Sequence, residues 1–159
     1  MTETIDQTNR LSAITKPGKD WLERLNQNGF TADKPYSNLT LEPLKEKLLT
    51  IAGYAVILPF VEEDLIKILF RGILTVPEKI KTVKGAPCRC HSNVCNYRER
   101  HPNSRIWTGY ALSSHGGIWR QHSWLTGNKG IIETTETRIA YFGFEMTVKE
   151  ADDFAEMNW

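Results

Sequence analysis

The spacing of apolar residues changes near the middle of the chain. In the first half, apolar side chains recur at the repeat of one helix face, for example at Leu44, Leu48 and Ile51. This repeat predicts helices over 20–28, over 40–53 and after Pro59. Residues 17–85 are therefore expected to be mainly helical, and the polar residues 1–15 are expected to form a disordered start.

The second half alternates between apolar and polar positions, which is the pattern of half-buried strands. Segments rich in β-branched and aromatic residues predict four strands, over 105–113, 118–126, 130–135 and 139–146. Glycine-containing turns at Gly116 and Gly127 separate the first three of them. The pattern is typical of an antiparallel meander.

Together these patterns predict a single α+β domain over 1–159. Its helical N-terminal half is followed, over 86–159, by a central helix that begins at Cys90 and packs on the antiparallel sheet. A capping box formed by Thr147 and Glu150 predicts a C-terminal helix from about Val148.

The charge balance argues against a broadly electrostatic partner. Twenty basic and nineteen acidic residues give a formal net charge of +1, so we expect no nucleic-acid and no membrane partner. The longest apolar stretch, 51–61, is interrupted by Gly53 and Pro59 and is too short to cross a bilayer. We expect a cytoplasmic protein, in which the three cysteines are buried thiols, metal ligands or a nucleophile rather than disulfides.

Cys90 is the candidate nucleophile. Pro87 favours an extended approach to it, and the segment that follows can be helical until Pro102 ends it, so Cys90 lies at a helix N-terminus. The helix dipole stabilises a thiolate there, and the thiolate is the reactive form. Because Val94 and Tyr97 share its helix face, the sulfur is expected to point at the sheet. The alternative is that Cys90 is a small core residue.

His122 and Glu133 are the candidate base and the acid that orients it. Glu133 stands within a run of apolar and threonine residues on a predicted strand, so its carboxylate needs a partner. If Asn128 and Lys129 form a two-residue turn, His122 and Glu133 are diagonal neighbours on one face of the hairpin. A three-residue turn would reverse the parity and make Glu136 the reserve acid. The alternative is that His122 is a structural histidine.

These three residues predict thiol chemistry on an amide. His122 would take the Cys90 proton, Glu133 would fix the imidazole, and the thiolate would attack a carbonyl carbon. Hydrolysis, deamidation and acyl transfer share the resulting acyl-enzyme and differ only in the second nucleophile. We expect an amide-bearing peptide, protein or small molecule as the substrate, and no cofactor.

The oxyanion of such a reaction needs hydrogen-bond donors. The backbone amide of Cys90 is one candidate, and the side-chain amides of Asn93 and Gln121 are the others. Trp124, on the strand face of His122, is a candidate substrate contact. The alternatives for Asn93 and Gln121 are ordinary positions on the surface of a helix and of a strand.

The order of cysteine, histidine and acid resembles the papain-like core shared by amidases, cell-wall endopeptidases, deamidases and transglutaminase-like proteins. The segment 88–93, Cys-Arg-Cys-His-Ser-Asn, is similar to the Cys-x-Cys-x-x-Asn opening of the N-terminal glutamine amidohydrolases. This resemblance covers the chain from Cys88 onward and implies Cys90 as nucleophile with His122 and Glu133. The chain departs from that family in having Glu133 in place of aspartate and Arg-Gln in place of Asp-Tyr before the histidine. The runs 109–113, 119–124 and 133–135 also resemble bacterial proteins without an assigned function.

Two non-catalytic interpretations remain open. The first is a zinc site, because four soft donors lie within eight residues, namely Cys88, Cys90, His91 and Cys95. Their spacing is unlike the two separated ligand pairs of most structural zinc sites. The second is a peptide-interaction module that uses the strand aromatics, although aromatics on the strands of a small domain are more often core.

Overall fold

The computed structural model describes residues 38–57 and 63–158. The predicted disordered start over 1–15 and the predicted helix over 20–28 lie outside this part of the chain. The described elements are α1 (Asn38–Ile51), β1 (Ala55–Ile57), α2 (Glu63–Arg71), β2 (Ile73–Thr75), β3 (Ile80–Thr82), α3 (Cys90–Arg100), β4 (Arg105–Ser113), β5 (Ile118–Gly127), β6 (Gly130–Glu133), β7 (Arg138–Glu145) and α4 (Val148–Asn158).

The strands form one curled, mostly antiparallel sheet in the order β2-β7-β4-β5-β6-β3, with β1 parallel to β5. The mixed α and β composition of the prediction is confirmed. The meander is confirmed only for β4, β5 and β6, because β7 returns to pair with β4. β7 does not pair with β6, because the free edge of this four-residue strand pairs with β3. The longer β4 can instead form hydrogen bonds along the length of β7.

The described part of residues 17–85 contains strands as well as helices, and the rest of this predicted helical half lies outside the described residues. The helices α1 and α2 are present, but three strands of three residues each, β1, β2 and β3, accompany them. Strands this short leave no alternating pattern in the sequence. Within the described residues, no helix has the length and apolar character needed to cross a membrane.

The two faces of the sheet have different coverings. All four described helices contribute side chains to the larger core cluster on one face, where Leu48, Ile68 and Phe154 pack against strand residues. The smaller cluster on the opposite face contains only strand residues, namely Ala111, Trp124, Ile131 and Tyr141. Because strand side chains alternate, His122 lies on the face of Trp124, and its neighbour Ser123 lies on the helix-bearing face.

A gap in the hydrogen-bond ladder of β5 positions α3. One edge of β5 pairs with β4, and the other pairs with β1 at 118–120 and with β6 at 125–127. Within the described residues, positions 121–124 have no strand partner on that second edge. The first turn of α3 reaches this stretch, since His91 hydrogen-bonds Ser123. The middle of β5 is thereby brought next to Cys90.

Gly143 gives a test of how closely the strands and rings pack on the His122 face. A Cβ at this position would lie 2.2 Å from Thr108 O and 2.7 Å from Trp124 Cη2. We predict that Gly143→Ala lowers the free energy of unfolding by about 1–3 kcal/mol, measured by urea denaturation. Gly127→Ala is the control, because its Cβ would meet only the movable tip of Ile132, and its stability should change by less than about 0.5 kcal/mol. Equal effects of the two substitutions would contradict this packing.

Candidate active site

Cys90 is the first residue of α3, at a helix start that has no side-chain cap. Arg89 occupies the N-cap position, and its side chain makes no capping hydrogen bond. The backbone N–H groups of the first helical turn are therefore available to an anion at the helix N-terminus. Cys90 is half-buried, so its sulfur is shielded but not enclosed.

Asn93 holds the loop that leads to Cys90. Its Nδ2 donates to the Ala86 carbonyl at 2.8 Å, and its Oδ1 accepts from the Ala86 N–H at 3.0 Å. Because both ends of the amide are used on the backbone, Asn93 anchors the approach loop. The role of Asn93 as an oxyanion donor stays a prediction.

The predicted contact between His122 and Glu133 is present. The two-residue turn pairs Gly127 with Gly130, and His122 Nε2 lies 2.8 Å and 3.1 Å from the two oxygens of Glu133. The exposed fractions of these side chains are only 3% for His122 and 0% for Glu133. Glu136 is exposed and pairs with Arg138, so the reserve acid is not the partner of His122.

Glu133 accepts hydrogen bonds from several segments at once. Its Oε1 accepts from the N–H groups of Thr134 and Thr135 and from the Thr135 hydroxyl, at 2.9 to 3.0 Å. Its Oε2 accepts from the Tyr141 hydroxyl at 2.9 Å as well as from His122. These donors stabilise the ionised carboxylate and fix its orientation.

The contact with Glu133 also assigns the protons of His122. An ionised carboxylate only accepts, so His122 Nε2 must carry a proton. The other ring nitrogen, Nδ1, is then left to exchange a proton with Cys90, whose pKa is lowered by the nearby His122. The three predicted residues are thus brought together in the order thiol, imidazole, carboxylate.

Their electrostatics favour an ion pair between Cys90 and His122. Burial by itself would raise the pKa of Cys90, but hydrogen bonds and positive charge from His122 and His91 lower it from 9.0 to about 5. Burial by itself would lower the pKa of His122, but its contacts with Cys90 and Glu133 raise it from 6.5 to about 9. Between these two values the thiolate and the imidazolium coexist.

Trp124 and Gln121 are the remaining candidate site residues on β5. Trp124 is 1% exposed and stacks beside His122, with ring centroids 6.3 Å apart, so it covers the imidazole instead of presenting a surface to substrate. Gln121 is half-buried, and strand alternation places it on the opposite face from His122. The backbone amide of Cys90 and the side-chain amide of Gln121 stay candidate oxyanion donors.

The sequence interpretation missed two residues that contact this site. Tyr141 donates to Glu133 from β7, and no sequence signal connects it to β6 because the intervening pairings are long-range. His91 was considered only as a zinc ligand, although its adjacency to Cys90 was a usable signal. It lies within hydrogen-bond distance of Ser123, and it contributes to lowering the pKa of Cys90.

The residues of the two non-catalytic interpretations lie in different surroundings. Among residues 38–57 and 63–158, no three or more His, Cys, Asp or Glu side chains are placed to hold a metal ion together. Cys88 is exposed, whereas Cys95 is buried and burial raises its pKa to about 11. The strand aromatics Trp119, Trp124 and Tyr110 are at most 1% exposed and belong to the core.

The hydrogen bonds to Glu133 predict a specific acid dependence of stability. Burial opposes ionisation of Glu133, but His122 and the surrounding donors hold its pKa below the ordinary 4.5. A carboxyl group whose pKa is lower in the folded than in the unfolded protein stabilises the fold at a pH above its unfolded pKa. This stabilisation is lost as the pH falls through the pKa of the folded protein. We predict that, as the pH is lowered from about 7 to about 3, the free energy of unfolding falls less in the Glu133→Gln variant than in the wild type.

The exposed Glu136→Gln is the matched control and should keep the wild-type pH dependence. Urea midpoints at a series of pH values provide the measurement. Parallel pH profiles for the wild type and Glu133→Gln would contradict the assignment of Glu133 as an ionised, hydrogen-bonded group.

Comparison with protein-family models, with curated proteins and with solved structures gave no match to this chain. The geometry of Cys90, His122 and Glu133 therefore carries the functional argument.

Proposed function

We propose that this protein is a cysteine-dependent amidohydrolase or deamidase that works through an acyl-enzyme. The observation that supports this most strongly is the buried His122 imidazole, which is hydrogen-bonded to Glu133 and lowers the pKa of the neighbouring Cys90 thiol. A thiol alone would be unremarkable in a core. A half-buried thiol with a depressed pKa beside a buried, oriented imidazole is typical of nucleophilic cysteines.

In the acylation step the Cys90 thiolate attacks the carbonyl carbon of an amide. The C=O electron pair moves onto oxygen, and the free amides at the start of α3, including that of Cys90, can stabilise the oxyanion. As the C–N bond breaks, the Nδ1 proton of His122 moves to the departing nitrogen. The product is a thioester on Cys90 together with free ammonia or an amine.

In the deacylation step neutral His122 accepts a proton from the second nucleophile. Water attack releases a carboxylate, whereas attack by an amine transfers the acyl group. The C–S bond then breaks, its electron pair returns to Cys90, and the ion pair with His122 forms again. Glu133 keeps the imidazole in the productive tautomer throughout.

The papain-like core is the fold proposal that accompanies this chemistry. A cysteine that begins a helix, followed by a histidine and an acid on neighbouring antiparallel strands, agrees with the resemblance noted in the sequence. The histidine geometry supports it further, because Nε2 points to the acid and Nδ1 is left for the cysteine. A substrate with a terminal or side-chain carboxamide agrees with the resemblance to the N-terminal glutamine amidohydrolases.

Thiol reactivity tests the proposed nucleophile without knowledge of the substrate. In a Cys88→Ser background, alkylation of Cys90 by iodoacetamide should increase with pH around the lowered pKa of about 5 and be near its plateau at neutral pH. Cys95, whose pKa is raised to about 11, should stay unlabelled in the folded protein. Peptide mapping by mass spectrometry gives the labelled site, and preferential labelling of Cys95 would remove Cys90 from this role.

Ammonia release from a panel of carboxamide peptides, with trapping of the thioester by mass spectrometry, tests the reaction itself. Cys90→Ala should abolish both signals, and His122→Ala should lower turnover by at least ~100-fold. Glu133→Gln should be comparably severe, because its NH₂ would donate to Nε2 and force the neutral imidazole into the wrong tautomer. Glu136→Gln, which removes an exposed acid nearby, should retain wild-type turnover. A thioester formed at an undiminished rate in His122→Ala would contradict the mechanism.

A further inference from the structure

Two clefts lie side by side along α3. The larger, with a volume of about 820 Å³, is bounded by α3, by the loop that leads to Cys90 and by Thr134 after β6. The smaller, of about 490 Å³, is bounded by the residues at the end of α3, by β6 with the turn before it and by Lys81 of β3. Because Arg100 and His101 line both clefts, we refer to the two together as the trench.

The trench carries an excess of positive charge. Four segments each contribute one cation to its walls, namely Lys81 from β3, Lys84 from the approach loop, Arg100 from α3 and Lys129 from the turn between β5 and β6. Glu99 is the one acid among its lining residues in the described part of the chain. The trench can therefore attract an anionic ligand.

The cations of the trench have no acidic partner within the described residues, in contrast to those of other surfaces. Lys81 Nζ donates to the Tyr97 hydroxyl at 3.4 Å and Arg100 Nε to the Asn96 carbonyl at 3.2 Å, and these neutral groups leave the positive charges uncompensated. Ion pairs at 2.6 to 2.8 Å occupy the basic side chains elsewhere, as in Arg71 with Glu150, Arg98 with Asp152 and Arg105 with Glu145.

The trench begins close to the proposed nucleophile. Asn93 lines the larger cleft and follows Cys90 by three residues, or about 5 Å along the helix axis. Thr134 lines the same cleft, and its backbone N–H donates to Glu133 at 2.9 Å. Arg100, at the far end of α3, lies about 15 Å from Cys90 along the axis. About four or five residues of extended peptide would cover that distance.

We propose that the trench binds an acidic segment of a peptide or protein substrate, whose carboxylates lie against its cations while the reactive carboxamide reaches Cys90. This inference rests on the proposed function and specifies its substrate class. The distances along α3 predict acidic residues about two to five positions from the reactive carboxamide. Nucleic acid is the other common polyanion, but the formal net charge of only +1 and the acidic Glu99 in the wall favour a peptide.

Binding tests the trench without any turnover. The measurement is fluorescence anisotropy of a fluorescein-labelled oligoglutamate peptide with the full-length protein, and an uncharged Gly-Ser peptide is the reference probe. The acidic probe should bind more tightly than the reference, and Lys84→Gln/Arg100→Gln should weaken it roughly fivefold, the scale of two exposed charge interactions. Lys67→Gln/Lys149→Gln is the control, because it removes the same net charge from α2 and α4 and should leave the affinity unchanged.

Two binding results would contradict the proposal. Equal affinity for the acidic and the uncharged probe, or equal losses in the two double variants, would overturn the trench as a site for acidic peptides. A labelled single-stranded oligonucleotide that binds more tightly than the acidic peptide would overturn the choice of occupant.

Turnover separates this inference from the proposed function. Ammonia release should show a kcat/KM roughly fivefold higher for a carboxamide peptide with glutamates at the predicted positions than for its alanine counterpart. Lys84→Gln/Arg100→Gln should remove this preference. Equal turnover of the two peptides would overturn the inference and leave the proposed function intact. Charge-dependent binding of the acidic probe without ammonia release from any peptide would contradict the proposed function, while the trench would remain a site for acidic peptides.

Discussion

The buried carboxylate of Glu133 is the constraint on which the rest of the site depends. A carboxylate with no solvent exposure is stable only where donors replace the lost water. Those donors come from His122 on β5, from the backbone after β6 and from Tyr141 on β7. The carboxylate is therefore satisfied only when β5 is in register with β6 and when β7 has returned to its place beside β4. The same contacts that fix the sheet also fix the orientation of His122.

Exposure is divided among the three reacting groups in a way that suits thiol chemistry. His122 and Glu133 are shielded from water, which strengthens their mutual interaction, whereas Cys90 remains half-buried and within reach of a substrate. This difference in exposure follows from the gap in the β5 ladder. At this gap the N-terminus of α3, and not another strand, contacts the middle of β5. Trp124 and Tyr141 cover the imidazole on the opposite face of the sheet.

Local features of the sequence were sufficient for the central contact. The Asn128-Lys129 turn determined the hairpin register, and an acid in an apolar strand indicated that Glu133 needed a partner. The positions of β7 and Tyr141 could not be derived, because they depend on a long-range pairing with β4. The strands β1, β2 and β3 are too short to produce a periodic signal. The role of Asn93 in holding Ala86 could not be derived either, because it depends on how the preceding loop folds back.

The central claim is that Cys90 and His122 form a thiolate–imidazolium pair at neutral pH. The most direct measurement is the ¹⁵N NMR spectrum of the imidazole rings in histidine-labelled protein, with the four histidines assigned by substitution. The account predicts that both ring nitrogens of His122 are protonated at pH 7, that this state titrates near the raised pKa of about 9, and that Cys90→Ala lowers that pKa. A neutral His122 ring at pH 7 in the wild type, unaffected by Cys90→Ala, would contradict it.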